Sequence, residues 1–204
     1  MLEKFWINVF RLGFLGILAL EIIKWRLLKN SVTFTWLGLI LTVLLVVFLI
    51  EGGAYLARKR WGVVLHWTSY AGAFLSLSLD AFGDMFHWYA KYAPWFDKAL
   101  HFVAGGVVAL ILYDLLSQVR LKNPAAFSWG WMFIIIVLGS LLLGFSYEWL
   151  EYAEDTFYWR HEVRLGDAYD TVDDIDMTLL GGVAAALILA WRAKEGKKQL
   201  RLLT

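Results

Sequence analysis

Three pairs of ionisable residues at helical spacing hold the reactive chemistry of this sequence. Asp97 and His101 in "WFDKALHF" stand four apart, Glu148 and Glu151 in "SYEWLEY" three apart, and Asp170 and Asp174 in "YDTVDD" four apart. Each pair shares one face of a helix. Asp167 lies one turn before Asp170, near the same face. At about 100° per residue Asp173 reaches that face and Asp176 points away from it. Crowded carboxylates raise one another's proton affinity, so such a cluster needs shared protons, a basic neighbour or a cation. Lys98, Arg160 and Arg164 are at hand as basic neighbours. Oxygen-rich coordination with one imidazole nitrogen suits a divalent metal: Mg²⁺, Mn²⁺ or Zn²⁺. The expected metal ligands are His101, Glu148, Glu151, Asp170 and Asp174, with His101, Glu148 and Asp170 as the expected catalytic groups. Asp97, one turn before His101, is the carboxylate expected to orient the imidazole.

The elements that must position these residues are membrane helices. The chain has 204 residues, 60% of them hydrophobic, which leaves too little polar surface for a soluble domain. A net charge of +1 gives no case for nucleic acid as a partner; membrane lipid is the expected surroundings. Cysteine is absent, which excludes disulfides and thiolate metal sites. A spanning helix needs about 20 mostly apolar residues. Ser31 to Ile50 and Asn123 to Tyr147 are free of charge, and Trp61 to Leu79 carries only His66. Ala99 to Val119 holds His101 and Asp114, and Met177 to Trp191 becomes long enough if it starts near Asp174. Phe5 to Trp25, interrupted by Arg11 and Glu21, reads as a retained first helix and not as a secretory signal. The expectation is an all-α, polytopic membrane bundle forming a single integral membrane domain. It has six spans, near 5–25, 31–57, 61–83, 99–119, 128–150 and 174–192, or five with an interfacial first helix.

Lys/Arg bias of the short loops sets the expected orientation. Arg58, Lys59 and Arg60, then Arg120 and Lys122, then the basic tail from Arg192 onward all fall on one side by parity. That side is expected to be cytoplasmic, with the C-terminus inside the cell membrane. Lys24, Arg26 and Lys29 run against the pattern. The three acidic pairs then meet at the opposite, external end of the bundle. A glycine lies beneath each: Gly105 one turn below His101, Gly144 one turn below Glu148, and Gly181 two turns below Asp174. Small residues let membrane helices approach closely, so these three would draw the polar groups together.

Plainer roles compete for the same residues. Acidic groups at a helix start complement its dipole and cap free N–H groups, and Glu151, Glu154 and Asp155 also suit a solvated entrance. The pairing on three helices at one membrane side favours a site, because ionisable groups at membrane depth are costly. Glu51, close to the basic loop, is expected to pair with Arg58. Asp84 and His87 in the aromatic stretch "DMFHWYAKYAPWF", and Asp80 just before it, are expected to form a wet interface belt, with Asp80 and Asp84 as further ligands in the alternative. "YWRHEVR" has the length of a lid, with His161 exposed.

"FDKALHFVAGG", "YEWLEY" and "GDAYDTVDDIDMTLLGG" together resemble the signature of the YjdF-like bacterial inner-membrane proteins, over roughly residues 80 to 190. The resemblance falls on Asp97, Lys98, His101, Glu148, Glu151, Asp167, Asp170, Thr171, Asp174 and Gly181. The chain is more distantly similar to the VanZ-like family, some of whose members are linked to glycopeptide resistance, and departs from it at Thr178. Neither resemblance implies a reaction; both imply that the polar cluster is the working part.

Three functions fit. The first is a membrane-embedded, divalent-metal-dependent enzyme acting on a lipid-linked or envelope substrate, the cation polarising a phosphoryl or carbonyl oxygen or activating water. The second is a small ion- or proton-coupled transporter, which should carry ionisable groups or broken helices near the midplane. The third is a non-catalytic envelope or resistance factor. The nearly charge-free middle stretches favour the enzyme.

Overall fold

A computed structural model describes residues 2–27, 36–93, 95–160 and 168–203. Among them run seven α-helices and no strand: α1 (Leu2–Leu27), α2 (Trp36–Trp61), α3 (Trp67–Met85), α4 (Trp88–Lys91), α5 (Trp95–Lys122), α6 (Trp129–Ala153) and α7 (Ala168–Leu203). A π-helical turn, Glu154–Trp159, continues α6. Five stretches are long and apolar enough to cross a membrane: Leu2–Ile23, Leu37–Trp61, Trp95–Lys122, Trp129–Trp159 and Tyr169–Ala193. The polytopic helical bundle expected from composition is what forms. Besides the four-residue α4, the helix outside that set is α3 and not α1, because Ser69, Ser76, Ser78, Asp80 and Asp84 dilute its apolar character.

Helix α6 shows why the chain reads as a membrane protein. Met132, Ile136, Ser140, Gly144 and Glu148 form its buried row at four-residue spacing. Trp131, Ile134, Leu138, Leu142, Phe145 and Trp149 are exposed on the other side. Ser140, Gly144 and Glu148 inside, with large apolar residues outside, is the pattern for a lipid solvent. At the end of the bundle that carries the acidic residues, Trp95, Trp149, Tyr152, Tyr158 and Tyr169 are exposed, the composition of an aromatic belt.

Helices α1 and α3 run parallel, in contact through Trp6–Trp67, Phe10–Trp67, Phe10–Phe74 and Phe14–Phe74. Their apolar core joins α2 through Val43 and Ile50. A second core, Ala109, Ile136 and Ala186, joins α5, α6 and α7. Inside the first group Arg11 grips Glu51 with two bonds, Nε to Oε1 and a second guanidinium nitrogen to Oε2, each 2.5 Å. Glu51 therefore pairs across the α1–α2 seam with Arg11, and the expectation of Arg58 is corrected. Arg58 lies two turns further toward the basic end, whereas α1 delivers a planar, bidentate partner at the right height.

The link between α2 and α3 is held by one face of α5. Gly62, at φ +63°, ends α2 in a left-handed conformation that a side chain would strain. Asp114 accepts the backbone N–H of His66 (2.6 Å) and the hydroxyl proton of Ser69 (2.9 Å). Gln118 accepts from Val64 N–H (3.3 Å) and donates to Val64 O (2.7 Å). Lys122 donates to Trp61 O (3.2 Å) and Gly62 O (2.6 Å). Residues 114, 118 and 122 repeat every four, so one stripe of α5 satisfies a non-helical segment whose backbone has no ladder of its own. His66 caps α3 and does not lie within a span, and Asp114 is this structural anchor. The same bonds place the basic ends of α2 and α5 together, opposite the acidic end.

Candidate functional site

The site forms where α5 and α7 touch backbone to backbone. A Cβ on Gly105 would overlap the carbonyl oxygen of Thr178, and one on Gly181 would overlap that of Phe102. On Gly182 a Cβ would strike Ser140 Oγ, whose proton is shared between Gly105 O (3.3 Å) and Ile136 O (3.0 Å). A Cβ on Gly144 would come within 3.1 Å of Thr178 Cβ, so α6 closes in on the same spot. The small residues beneath the polar pairs bring three helices together, as their placement in the sequence suggests.

One imidazole nitrogen is the focus. His101 Nε2 lies 3.8 Å from Asp97 Oδ1, 3.9 Å from Glu148 Oε1 and 3.9 Å from Asp174 Oδ2. His101, Glu148 and Asp174 are each under a tenth exposed. The ligand atoms of Asp97, His101 and Asp174 all fall within 4.8 Å of one another, a grouping that could hold a metal ion. Asp174 Oδ1 is buried and finds no hydrogen-bond partner among the described residues. His101 Nδ1, on the other side of the ring, meets Thr178 Oγ1 at 3.2 Å, and the ring stands edge-on to Tyr147 at 5.5 Å.

The expected residues divide accordingly. His101, Glu148 and Asp174 come together. Asp170, half-buried one turn above Asp174, acts on its carboxylate electrostatically along with Asp97 and Glu148. Glu151 is half-buried one turn beyond Glu148 and lies outside the grouping around Asp97, His101 and Asp174. Asp97 is placed differently from expectation: it faces Nε2 with the other carboxylates, and Thr178 holds Nδ1 in its stead. Asp173 is exposed and ion-paired with Lys98 at the mouth, and Asp176 is exposed. Asp167, His161, Arg164 and most of the expected lid lie outside the described residues.

Some polar residues near this end escape the spacing rules. Asp80 and Asp84 are buried, at 6% and 3% exposure, and are not the wet belt expected of them. Tyr89 donates its hydroxyl proton to Asp80 at 2.5 Å and packs edge-on to Phe96, the neighbour of Asp97. Burial first, then the charge of Asp80, pushes the Tyr89 phenol well above its usual range. Glu154 and Asp155, in the π-helical turn, are also buried, and Trp159 Nε1 donates to Glu154 at 3.0 Å. Such wide turns recur at functional sites.

A family model described as "Predicted membrane protein (DUF2238)" matches residues 10–195. The chain belongs to the DUF2238 family. That DUF2238 match takes in all seven helices in whole or part, including the polar group on α5, α6 and α7 and the Arg11–Glu51 pair. No curated protein and no solved structure matches the chain, and nothing found supports the more distant likeness to VanZ-like proteins.

Proposed function

We propose that the group at the head of α5, α6 and α7 holds a divalent cation, Mg²⁺, Mn²⁺ or Zn²⁺, and that this DUF2238 protein is a metal-dependent enzyme of the cell membrane. Its substrate is a lipid-linked or envelope molecule reached at the outer face. One observation carries the reading: carboxylates from three helices converge on a single imidazole nitrogen at 3.8–3.9 Å, with one buried Asp174 oxygen that has no hydrogen-bond partner among the described residues. Oxygens and a nitrogen brought that close in low dielectric need a positive charge between them. Asp97, His101 and Asp174 would be the ligands, and a shift of under an ångström each would bring them to metal-bonding distance. Glu148 and Asp170 remain to take or give a proton once the cation has polarised a carbonyl or phosphoryl oxygen. The aromatic belt at this end suits a substrate anchored in lipid. The YjdF-like character of the three motifs falls on these same residues.

Metal content of the purified protein, with calorimetric titration of Mg²⁺, Mn²⁺ and Zn²⁺, tests the reading. Saturable binding that His101→Gln and Asp174→Asn abolish is expected; a wild-type protein that takes up none of the three ions would overturn it. The second reading, ion-coupled transport, draws on the Arg11–Glu51 pair. It lies roughly 15 Å along α1 and α2 from their ends at the basic face, near the middle of a bilayer. Proton or cation flux in proteoliposomes that Glu51→Gln stops would favour it.

A further inference from the structure

We propose that Thr178 is a positioning residue for this group: it fixes His101 with a proton on Nδ1 and so turns the Nε2 lone pair toward the cation. This rests on reading the group as a cation site. Thr178 is 1% exposed and stands four residues after Asp174, on the same face of α7. Its Oγ1 lies 2.9 Å from the carbonyl oxygen of Asp174 and 3.2 Å from His101 Nδ1.

A hydroxyl has one proton to give, and a carbonyl oxygen can only accept. The Thr178 proton goes to Asp174 O, the shorter of the two contacts, so Oγ1 meets the imidazole with a lone pair. The imidazole must then donate, which places a proton on Nδ1 and leaves Nε2 bare. Nε2 and the oxygens of Asp97, Glu148 and Asp174 then all turn electron density on one point. A cation there satisfies all four; a second imidazole proton would satisfy the carboxylates but occupy the metal's place.

Packing holds the hydroxyl to this task. A Cβ on Gly105 would overlap the Thr178 carbonyl oxygen and one on Gly144 would crowd the Thr178 side chain at 3.1–3.3 Å, and a β-branched residue on a helix has few rotamers. One side chain thus joins the backbone of one ligand to the ring of another, across the α5–α7 seam. In metal sites the group on the far nitrogen of a histidine sets the tautomer and ring orientation, and its loss costs about 10- to 100-fold in metal affinity.

The test uses full-length protein in detergent, with Zn²⁺ and Mn²⁺ as probes and ¹⁵N-labelled histidine. Thr178→Val keeps the shape and removes the hydroxyl; Thr178→Ser keeps the hydroxyl. The expected result is a 10- to 100-fold loss of affinity in Thr178→Val and near wild-type affinity in Thr178→Ser. The His101 nitrogen shifts of neutral, metal-free wild type should show the proton on Nδ1, a preference lost in Thr178→Val. A wild-type His101 protonated on Nε2 alone overturns the proposal, whatever the metal does, as does Thr178→Val binding as tightly as wild type. A wild type that binds neither ion removes the cation reading, while the nitrogen shifts still decide the role of Thr178. If Thr178→Val does not fold, the wild-type shifts and the affinity of Thr178→Ser decide between the two outcomes.

Discussion

His101 Nε2 and Asp174 Oδ2 face each other at 3.9 Å across a helix seam so tight that a methyl group on either adjoining glycine would overlap a backbone oxygen. Their two backbones are held at that separation by the glycine contacts. The charge between them therefore decides whether this end of the protein is strained or stabilised, and that gives the first prediction. With a divalent ion present, Asp174→Asn loses a ligand and should lower the melting temperature. After chelation the difference should shrink or reverse, because one repelling carboxylate has gone. Linkage makes the effect about 2.7 kcal/mol when the ion is about 100-fold above its Kd. Exposed Asp176→Asn is the control. An Asp174→Asn protein that is no less stable than wild type with metal present would leave these acids as helix caps.

Gly181→Ala is expected to disturb the site without touching a polar side chain. Its new methyl would lie against Phe102 O, a backbone atom that cannot swing aside. Overpacking of this kind costs about 1–3 kcal/mol. Gly16→Ala, which meets nothing within 4 Å, should be neutral or slightly stabilising. Thermal melts of the two variants, with metal titration alongside, check the contrast.

The Arg11–Glu51 pair should be costlier to halve than to remove. Glu51→Gln leaves a guanidinium in a spanning segment without its counter-charge, a loss on the order of 3 kcal/mol. Replacing both residues with leucine should recover much of that stability. Equal stability of the single and double variants would show that the pair is solvated by something beyond its own partner.

Alkaline pH should weaken the fold through Tyr89. Its phenol is held well above its ordinary value near 10, so the folded protein keeps a proton that the unfolded chain releases. The stabilisation is complete below pH ~10 and is lost as pH rises from there through the folded value. Tyr89→Phe has no proton to lose and should show a flatter fall in melting temperature between about pH 9.5 and 11.5.

Topology has a direct readout. A reporter after Thr204 or near Asn123 is expected to be cytoplasmic, and one near Arg160 external. A cytoplasmic signal from the Arg160 insertion would move the whole polar group to the inner face.

The sequence displays what is local. Four-residue spacing places His101 on the buried row of α5, and the apolar runs mark the helices. Glycines beneath the acidic pairs announce a close approach, because a missing Cβ has few other uses in the middle of a membrane helix. Partnerships across helices are hidden, since spacing carries no information about which helices are neighbours. Glu51 finds Arg11, forty residues away, and Asp114 serves a loop forty-eight residues before it. Thr178 reads as an ordinary helix residue until α5 lies beside it. Asp80 is buried because Tyr89 folds back over the end of α3 through His87, whose left-handed φ of 55° no sequence pattern marks.

The polar stripe of Asp114, Gln118 and Lys122 has a mechanical consequence. It fastens one end of α5 to the α2–α3 link, while the glycine contact with α7 fastens the other. His101 and Asp114 are about 20 Å apart along a continuous helix, stiff against stretching on that scale. A load on residues 62–66, at the basic end, would therefore reach His101 as an axial displacement with little lost to bending. Glu148 and Asp174, on other helices, would register such a shift at Nε2 while Asp97 travels with His101 on α5, the build of a strain gauge with its needle at the acidic end.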